Sequence, residues 1–484
     1  MNENNFNQDY IAALNLIANL KSLSVFKSDL DNPLLNLGKP TIENVSRVSR
    51  LKVKRGKFGL FYNFLIYLPY LGIQLIYNLI HHIKHMPQLR IQNKPRENSD
   101  YLFVSHYVGQ QINEENGDSF FGNVPTLLSD INKQSTIIYV NHKKKTKELS
   151  DNSKNVLLPK TCYTKNRLFI TFAAIGKSIF YFKRALRISF SDINKANQLF
   201  LLAQLQVNIA SFHNQILLIN LKTFILKIEP KRIVLTLEGH PYESFISINI
   251  NHYHPETKVI LWQLAPVVPK QHGFLETIEN LPSSCDVAVT GESIKKFIEQ
   301  NTLISRKIVV AGSPKFNEII ISNKNGDAIL LAPEGSIEAV NEFISLISIL
   351  CRNFPDREVI LRLHPAVKEF FREDFKAKFS DFENFDLSKN TLHEDLLKSE
   401  YCVFRSSSVS IEGLKYNIKP IHYSKLTHGE LNPLALNQPW IFEAQSATEV
   451  TKIIASNPRT DQIFLQETYD NYYTKFNLEK FLEL

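Results

Sequence analysis

The sequence predicts an α/β protein built from two Rossmann-like domains facing each other across a cleft, preceded by a helical region. Three observations predict it. From Tyr101 onward, short apolar runs alternate with helix-length stretches, the pattern of parallel sheets covered by helices on both faces. The alternation occurs twice, about Tyr101–Thr290 and about Ile308–Tyr423. The chain, 484 residues with 44% hydrophobic and 21% charged, is long enough and apolar enough for two or more cored domains.

The first 98 residues form a region of their own. Its polar, acidic beginning, MNENNFNQDY, lacks the basic-then-apolar order of a secretory signal. The 23 residues from Phe58 to Ile80 carry no charge and follow Arg47, Arg50, Lys52, Lys54, Arg55 and Lys57. Such a run is long enough to span a bilayer, which takes roughly 20 apolar residues. Its polar members Asn63, Tyr67, Tyr70, Gln74, Tyr77, Asn78 and His81 nevertheless draw one stripe along a helix, which suits a helix lying in the interface. Pro69 is expected to kink or break that helix. A second stretch, Leu168–Ile188, is rich in Phe and Ile and carries Lys177, Lys183, Arg184 and Arg187, so it too suits anionic lipid. Packing of both helices against the protein's own core is the plainer alternative. The six basic residues favour the membrane, each contributing on the order of 1 kcal/mol near an anionic leaflet.

Strands are expected at Tyr101–Ser105, Thr136–Asn141, Arg232–Leu237, Val259–Leu264, Val287–Thr290, Ile308–Ala311, Ala328–Ala332, Val359–Leu363, Tyr401–Phe404 and Pro420–Tyr423. Helices are expected at Asn194–Ile225, Ser293–Asn301, Glu338–Arg352 and Val409–Tyr416. The first Rossmann-like domain spans 99–306 with a helical insertion at 168–226, and the second spans 307–460. A linker lies near Arg306–Asn325, and residues 461–484 form a helical tail. A net charge of +8 and a pI near 9 favour anionic partners without choosing among them. Four scattered cysteines with no CxxC spacing indicate neither a disulfide framework nor a zinc site, and fit a reducing cytoplasm.

Four strand ends carry candidate chemistry. In LTLEGHPYE a strand ends at Glu238, and a tight Gly239 turn exposes His240 and Glu243. A carboxylate there is well placed to accept a proton from a sugar hydroxyl, which makes Glu238 the candidate general base. His240, Glu243 and the downstream Gln263 are assigned to the acceptor side. Both carboxylates also suit the positive end of the following helix, Glu243 more than Glu238. In LAPEGS, the backbone at Gly335 and Ser336 meets a nucleotide and Glu334 supplies a second carboxylate. Ser336 as an N-cap is the plainer reading.

In RLHPAV, Pro365 stops the strand and holds His364 extended, where it can donate to a phosphate or protonate a leaving group. Arg362 and Pro365 are assigned to the donor side with it. In FRSSSVSIEG, Ser406, Ser407 and Ser408 occupy a strand-to-helix turn suited to phosphate, and Glu412 follows within reach of ribose hydroxyls. A plain serine N-cap is the alternative there. Arg405 is either a phosphate contact or a solvated edge charge. The sequence holds no GxGxxG, Walker A, HExxH or paired His/Cys spacing, and its Asp29-x-Asp31 lies outside both alternating blocks. A transferase needing no metal and no cofactor is therefore expected.

Taken in order, these motifs resemble bacterial surface-polysaccharide glycosyltransferases of the GT-B fold. The His-Pro strand end followed by a serine cluster is similar to the pattern of bacterial sialyltransferases and Kdo transferases. DSFFGNVPTLL (Asp118–Leu128), LEGHPYE, WQLAPVVPKQHG (Trp262–Gly273), VTGES (Val289–Ser293) and VVAGSPKF (Val309–Phe316) look like a related group of surface-carbohydrate biosynthesis proteins. The likeness covers about Tyr101 to Tyr423. It implies Glu238 as acceptor base, His364 as a ligand of the CMP phosphate, and Ser406 to Ser408 as further phosphate contacts. The sialyltransferase pattern has two adjacent acids before the glycine, whereas Leu237 precedes Glu238 here. Some retaining relatives use a carboxylate nucleophile, a role open to Glu334 or Glu238, so the stereochemistry stays open.

The expected activity is transfer of a Kdo- or sialic-acid-like sugar from a CMP donor to a glycan or lipid-linked glycan acceptor of lipopolysaccharide or capsule. The expected location is peripheral, at the inner face of the cytoplasmic membrane. Alternatives are a nucleotide-diphosphate-sugar or polyol-phosphate donor, or a non-catalytic anion-binding scaffold. No aromatic-basic motif points to nucleic acid.

Overall fold

The computed structural model describes residues 57–86, 99–107, 118–141, 155–188, 191, 196, 199–200, 202–204, 207, 209–269, 272–303, 306–314, 326–335, 337–364, 378–424, 431–436 and 442–484. Asp29, Asp31, Ser336, Pro365 and most of the expected linker lie outside them. By compactness the described chain divides into one unit reaching to residue 262 with 271–287, and another of 263–270 with 288–484. The boundary expected at 306 falls inside the second.

The first sheet has strands β1 (Tyr101–Tyr107), β2 (Ser135–Asn141), β3 (Val156–Leu157), β4 (Arg232–Thr236), β5 (Lys258–Trp262), β6 (Asp286–Val289) and β7 (Ile308–Val310), in the order β3-β2-β1-β4-β5-β6-β7. Its pairings β1–β2, β1–β4, β2–β3 and β4–β5 are parallel. Every residue of β1 is buried, as are Ile233–Thr236 of β4 and Val259–Trp262 of β5. A strand buried on both faces reads as an unbroken apolar run, which is why these strands stand out in the sequence. The edge strand β7 belongs to this sheet, although its sequence position after the first block suggests the second. It lies beside β6, where the Gly312 N–H donates to the Val289 carbonyl at 3.2 Å.

The second sheet comprises β8 (Ala328–Ala332), β9 (Val359–Leu361), β10 (Phe385–Leu387), β11 (Ser399–Phe404), β12 (Lys419–Tyr423) and β13 (Glu443–Ala444), in the order β10-β9-β8-β11-β12-β13. Its pairings are parallel. Its core packs Phe343, Leu346, Ile347 and Leu350 against Leu331, Val403, Ile421 and Tyr423. Strands β3, β10 and β13 escape sequence reading because they are two or three residues long and lie at or near sheet edges. Counted from their own first strand, the first sheet runs 3-2-1-4-5-6-7 and the second 3-2-1-4-5-6, so strand order reverses between β1 and β4 and again between β8 and β11. Open parallel sheets bind ligands at such reversals, beyond the strands' carboxyl ends.

The helices in chain order are α1 (Lys57–His85), α2 (Val124–Asp130), α3 (Thr164–Ile188), α4 (Ile209–Ile228), α5 (Pro241–Tyr253), α6 (His272–Asn280), α7 (Glu292–Asn301), α8 (Ile337–Asn353), α9 (Leu392–Lys398), α10 (Val409–Leu414), α11 (Ala447–Ser456), α12 (Gln462–Tyr472) and α13 (Leu478–Leu482). The tail carries α12 and α13. Its α12 packs against α7 and α10, and the Thr290 hydroxyl donates to the Tyr472 carbonyl at 2.9 Å.

Contrary to expectation, α1 runs unbroken through Pro69. Interior proline costs a helix about 3 kcal/mol. Contacts on both sides of it hold the turn: Tyr67 bonds the Ser178 hydroxyl at 2.5 Å and stacks on Phe182, while Leu71 and Leu75 pack on the Ile170, Phe212 and Ile216 cluster. Among the described residues no helix is long and apolar enough to cross a membrane. Of the polar stripe of α1, Tyr67 and Asn78 are buried, Tyr70, Gln74 and His81 are half-buried, and Tyr77 is exposed. His82 and His85, just beyond the stripe, are buried as well.

Candidate functional site

At the first reversal, Ser105 and His106 stand just before the end of β1 at Tyr107, and β4 ends in Thr236. The Ser105 hydroxyl donates to both oxygens of Asp118 at 2.9 and 2.8 Å, and the same carboxylate takes the N–H groups of Phe120 and Phe121. That fixes the 118–122 turn beside the strand end and sets Phe120 edge-on to His106, 5.0 Å between ring centroids. His106, nearly fully buried, lies 2.9 Å from the Thr236 hydroxyl and 2.8 Å from that of Tyr242 through Nε2. Burial, then the carboxylates of Glu243 and Glu238, push the Tyr242 phenol well above its ordinary value, so it stays protonated.

Beyond β4 the chain turns through Gly239 at φ +80°, where a Cβ would stand 2.6 Å from the Phe274 nitrogen. Only glycine fits that conformation and that approach. Pro241 then opens α5. Glu243, fully buried, accepts the N–H groups of Glu238 at 2.8 Å, Gly239 at 2.8 Å and His240 at 2.9 Å. It is a helix-start carboxylate and not an acceptor ligand, because every turn donor converges on it. Glu238 and His240 keep partial exposure, 13% and 32% for their side chains, and pair at 3.3 Å between Oε2 and Nε2. The His240 ring stacks on Tyr242 at 5.2 Å. A carboxylate held against an imidazole at a strand end can accept a proton from a hydroxyl, with the imidazole steadying its orientation.

Gln263 does not face an acceptor either. It is fully buried, its Oε1 taking the Thr290 N–H at 3.1 Å and the Thr290 hydroxyl at 3.0 Å, while Nε2 donates to the Ala265 carbonyl. It ties the loop after β5 to the end of β6.

At the second reversal three loops meet. Gly335, after β8, lies against His364, after β9: a Cβ on Gly335 would stand 2.7 Å from the imidazole Nδ1. Glu334 reaches the loop after β11, where its carboxylate accepts the Nε–H of Arg405 at 2.7 Å and a further bond from Nη2. Arg405 is 3% exposed, and its Nη1 donates to Glu342 of α8 at 2.9 Å. Burial works to lower the guanidinium pKa, but the two carboxylates outweigh it and raise it. Arg405 is therefore neither a solvated edge charge nor open to a phosphate; its contacts hold the backbone next to Ser406. The same pairing commits Glu334 to the framework and away from nucleophilic work.

Arg362 is likewise structural. Its Nη1 donates to the fully buried Asp395 at 2.7 Å and to the Asn390 carbonyl at 3.0 Å, pinning β9 to the start of α9. His364 is exposed. Ser406, Ser407 and Ser408 are partly exposed around the turn into α10. Ser407 accepts from the Val409 N–H at 3.4 Å, and the Ser408 hydroxyl makes no cap bond because its backbone is already helical. Glu412 lies toward Tyr416, Tyr469 and Tyr473, whose phenol pKa values rise from burial first and from its charge second.

No motif in the sequence marks His106 or Tyr242. The run YLFVSHY continues its strand two residues past Ser105, and placing a polar ring at its carboxyl end would have drawn attention to His106.

No family profile and no curated protein matches the chain. Solved structures do. Sucrose-phosphate synthase from Thermosynechococcus elongatus is 11% identical, with 80% of this chain and 97% of that one covered at a TM-score of 0.46. UDP-GlcNAc 2-epimerase from Neisseria meningitidis bound to UDP-GlcNAc is 10% identical, with coverage of 79% and 100% at 0.43. The glycosyltransferase SnogD from Streptomyces nogalater is 10% identical, with coverage of 78% and 96% at 0.41.

Proposed function

We propose that the protein is a glycosyltransferase of the GT-B type, moving a sugar from a nucleotide donor to a glycan acceptor. One observation carries the reading: exposed or partly exposed polar residues gather at the strand-order reversal of both doubly wound sheets, Glu238 and His240 on one, His364 and Ser406 to Ser408 on the other. In this reading the second unit holds the donor phosphate through His364 and the serine turn, and the first presents Glu238 to the acceptor. The acceptor hydroxyl gives its proton to Glu238 as its oxygen bonds the anomeric carbon. The bond from that carbon to the phosphate oxygen breaks, and nucleotide leaves with that oxygen, stabilised by a hydrogen bond from His364.

The donor is a CMP-activated Kdo- or sialic-acid-like sugar, on the strength of the His-Pro and serine pattern. The acceptor is a growing surface glycan, free or lipid-linked, met at the inner face of the cytoplasmic membrane. Thermal stabilisation of the full chain by CMP, CDP and UDP tests the donor: stabilisation by CMP that disappears in His364→Ala supports it. Stabilisation by UDP alone replaces CMP with a diphosphate donor, and no nucleotide effect overturns the transfer reading.

A further inference from the structure

Helices α1 and α3 form an antiparallel pair joined by a hydrogen-bonded seam and carrying large apolar residues on their exposed sides. Between them Tyr67 bonds Ser178 at 2.5 Å, Asn78 donates to Thr171 at 3.2 Å, Arg167 donates to the Asn78 carbonyl at 2.9 Å, and His82 bonds Thr161 at 2.7 Å. The outward side of α1 presents Ile73, Ile76, Leu79, Ile80 and Ile83, with Ile73 63% exposed. That of α3 presents Leu168, Phe169, Phe172, Ile179 and Phe180, with Phe169 73% exposed. Large apolar side chains exposed in this number along two packed helices mark an interaction site.

We infer that the outward faces of α1 and α3 rest on a bilayer surface bearing anionic headgroups. Charge selects this occupant. Neither helix contains an Asp or Glu, while Lys84, Lys165, Lys177, Lys183 and Arg187 are exposed among or beside the apolar residues. In the sequence, Arg47, Arg50, Lys52, Lys54 and Arg55 precede α1, whose first residue is Lys57. Apolar and aromatic side chains interleaved with lysine and arginine match the acyl–headgroup boundary, where each finds its own layer. A second copy of the same face would set these cations against one another. A cavity of about 410 Å³ adjoins α3, bordered by its Phe169 and Lys177, by Lys222 of α4 and by Tyr253 of α5, a volume within the range of small-molecule sites.

The inference rests on the membrane part of the proposed function and not on its chemistry. Flotation of the full chain with phosphatidylcholine vesicles, with and without phosphatidylglycerol, tests it. Binding is expected only with phosphatidylglycerol, weakening with added salt. It should drop at least about tenfold in Ile76→Asp/Phe172→Asp, with unchanged thermal unfolding. Ile463→Asp, which removes an exposed apolar residue of α12, should bind like the parent. Failure of the parent to float overturns both this inference and the membrane location. Equal flotation of parent and double variant overturns the face alone. A parent dimer that the double variant dissociates, without vesicle binding by either, assigns the face to a second copy instead.

Discussion

Gly335 and His364 are in contact across two loops, and only the missing side chain of the glycine makes room for the imidazole, 2.7 Å from where a Cβ would lie. Because the clash is with the end of a side chain and not with backbone, Gly335→Ala should move His364 without unfolding the unit. We expect transfer efficiency to fall on the order of tenfold to a hundredfold, with denaturant stability within about 0.5 kcal/mol of the parent. Steady-state kinetics and urea unfolding of the same preparation check both.

The two carboxylates of the first unit separate by role. Glu238→Gln should lower kcat by roughly 10²–10⁴ while nucleotide stabilisation is retained, because it removes a proton acceptor from a partly exposed position. Glu243→Gln should instead lower stability by about 1–2 kcal/mol, since its buried carboxylate serves three backbone donors. Kinetics and chemical unfolding of the pair distinguish the two effects.

Arg405 lies buried between Glu334 and Glu342. Arg405→Leu leaves two carboxylates without their cation and should cost on the order of 3–5 kcal/mol. Adding Glu334→Gln and Glu342→Gln should recover part of it. Guanidinium unfolding of the single and triple variants measures the difference.

His422, on β12, is 1% exposed, and burial holds its pKa down to about 4. The unfolded chain has the ordinary value near 6.5, so it binds the proton first as pH falls. The contribution is complete above about pH 6.5 and is lost as pH falls from there through about 4, on the order of 3 kcal/mol. His422→Phe, beside Phe404, should remove this part of the slope. Unfolding free energies of both chains at several pH values give the comparison.

The sheets are legible in the sequence because strands such as RIVLT and AILLA are buried on both faces and leave an uninterrupted apolar signature. The role of Glu243 was also within reach: Pro241 favours the first helical position, which makes His240 the cap and puts Glu243 where a capping carboxylate belongs. Arg405 was not, since its partners Glu334 and Glu342 lie 71 and 63 residues away in sequence. Periodicity likewise located the polar stripe of α1 without saying which side faces the protein, because a 3.6-residue repeat looks the same from within and without.

The hydrogen bonds between α1 and α3 bear on registry. Apolar helices can slide past one another by a turn at small cost, since one methyl replaces another. Here a slip of one turn would strand the Arg167 guanidinium away from Asn78 and part Tyr67 from Ser178, leaving buried polar groups unmet at about 1–3 kcal/mol each. The seam therefore acts as a key that admits one alignment of the two helices.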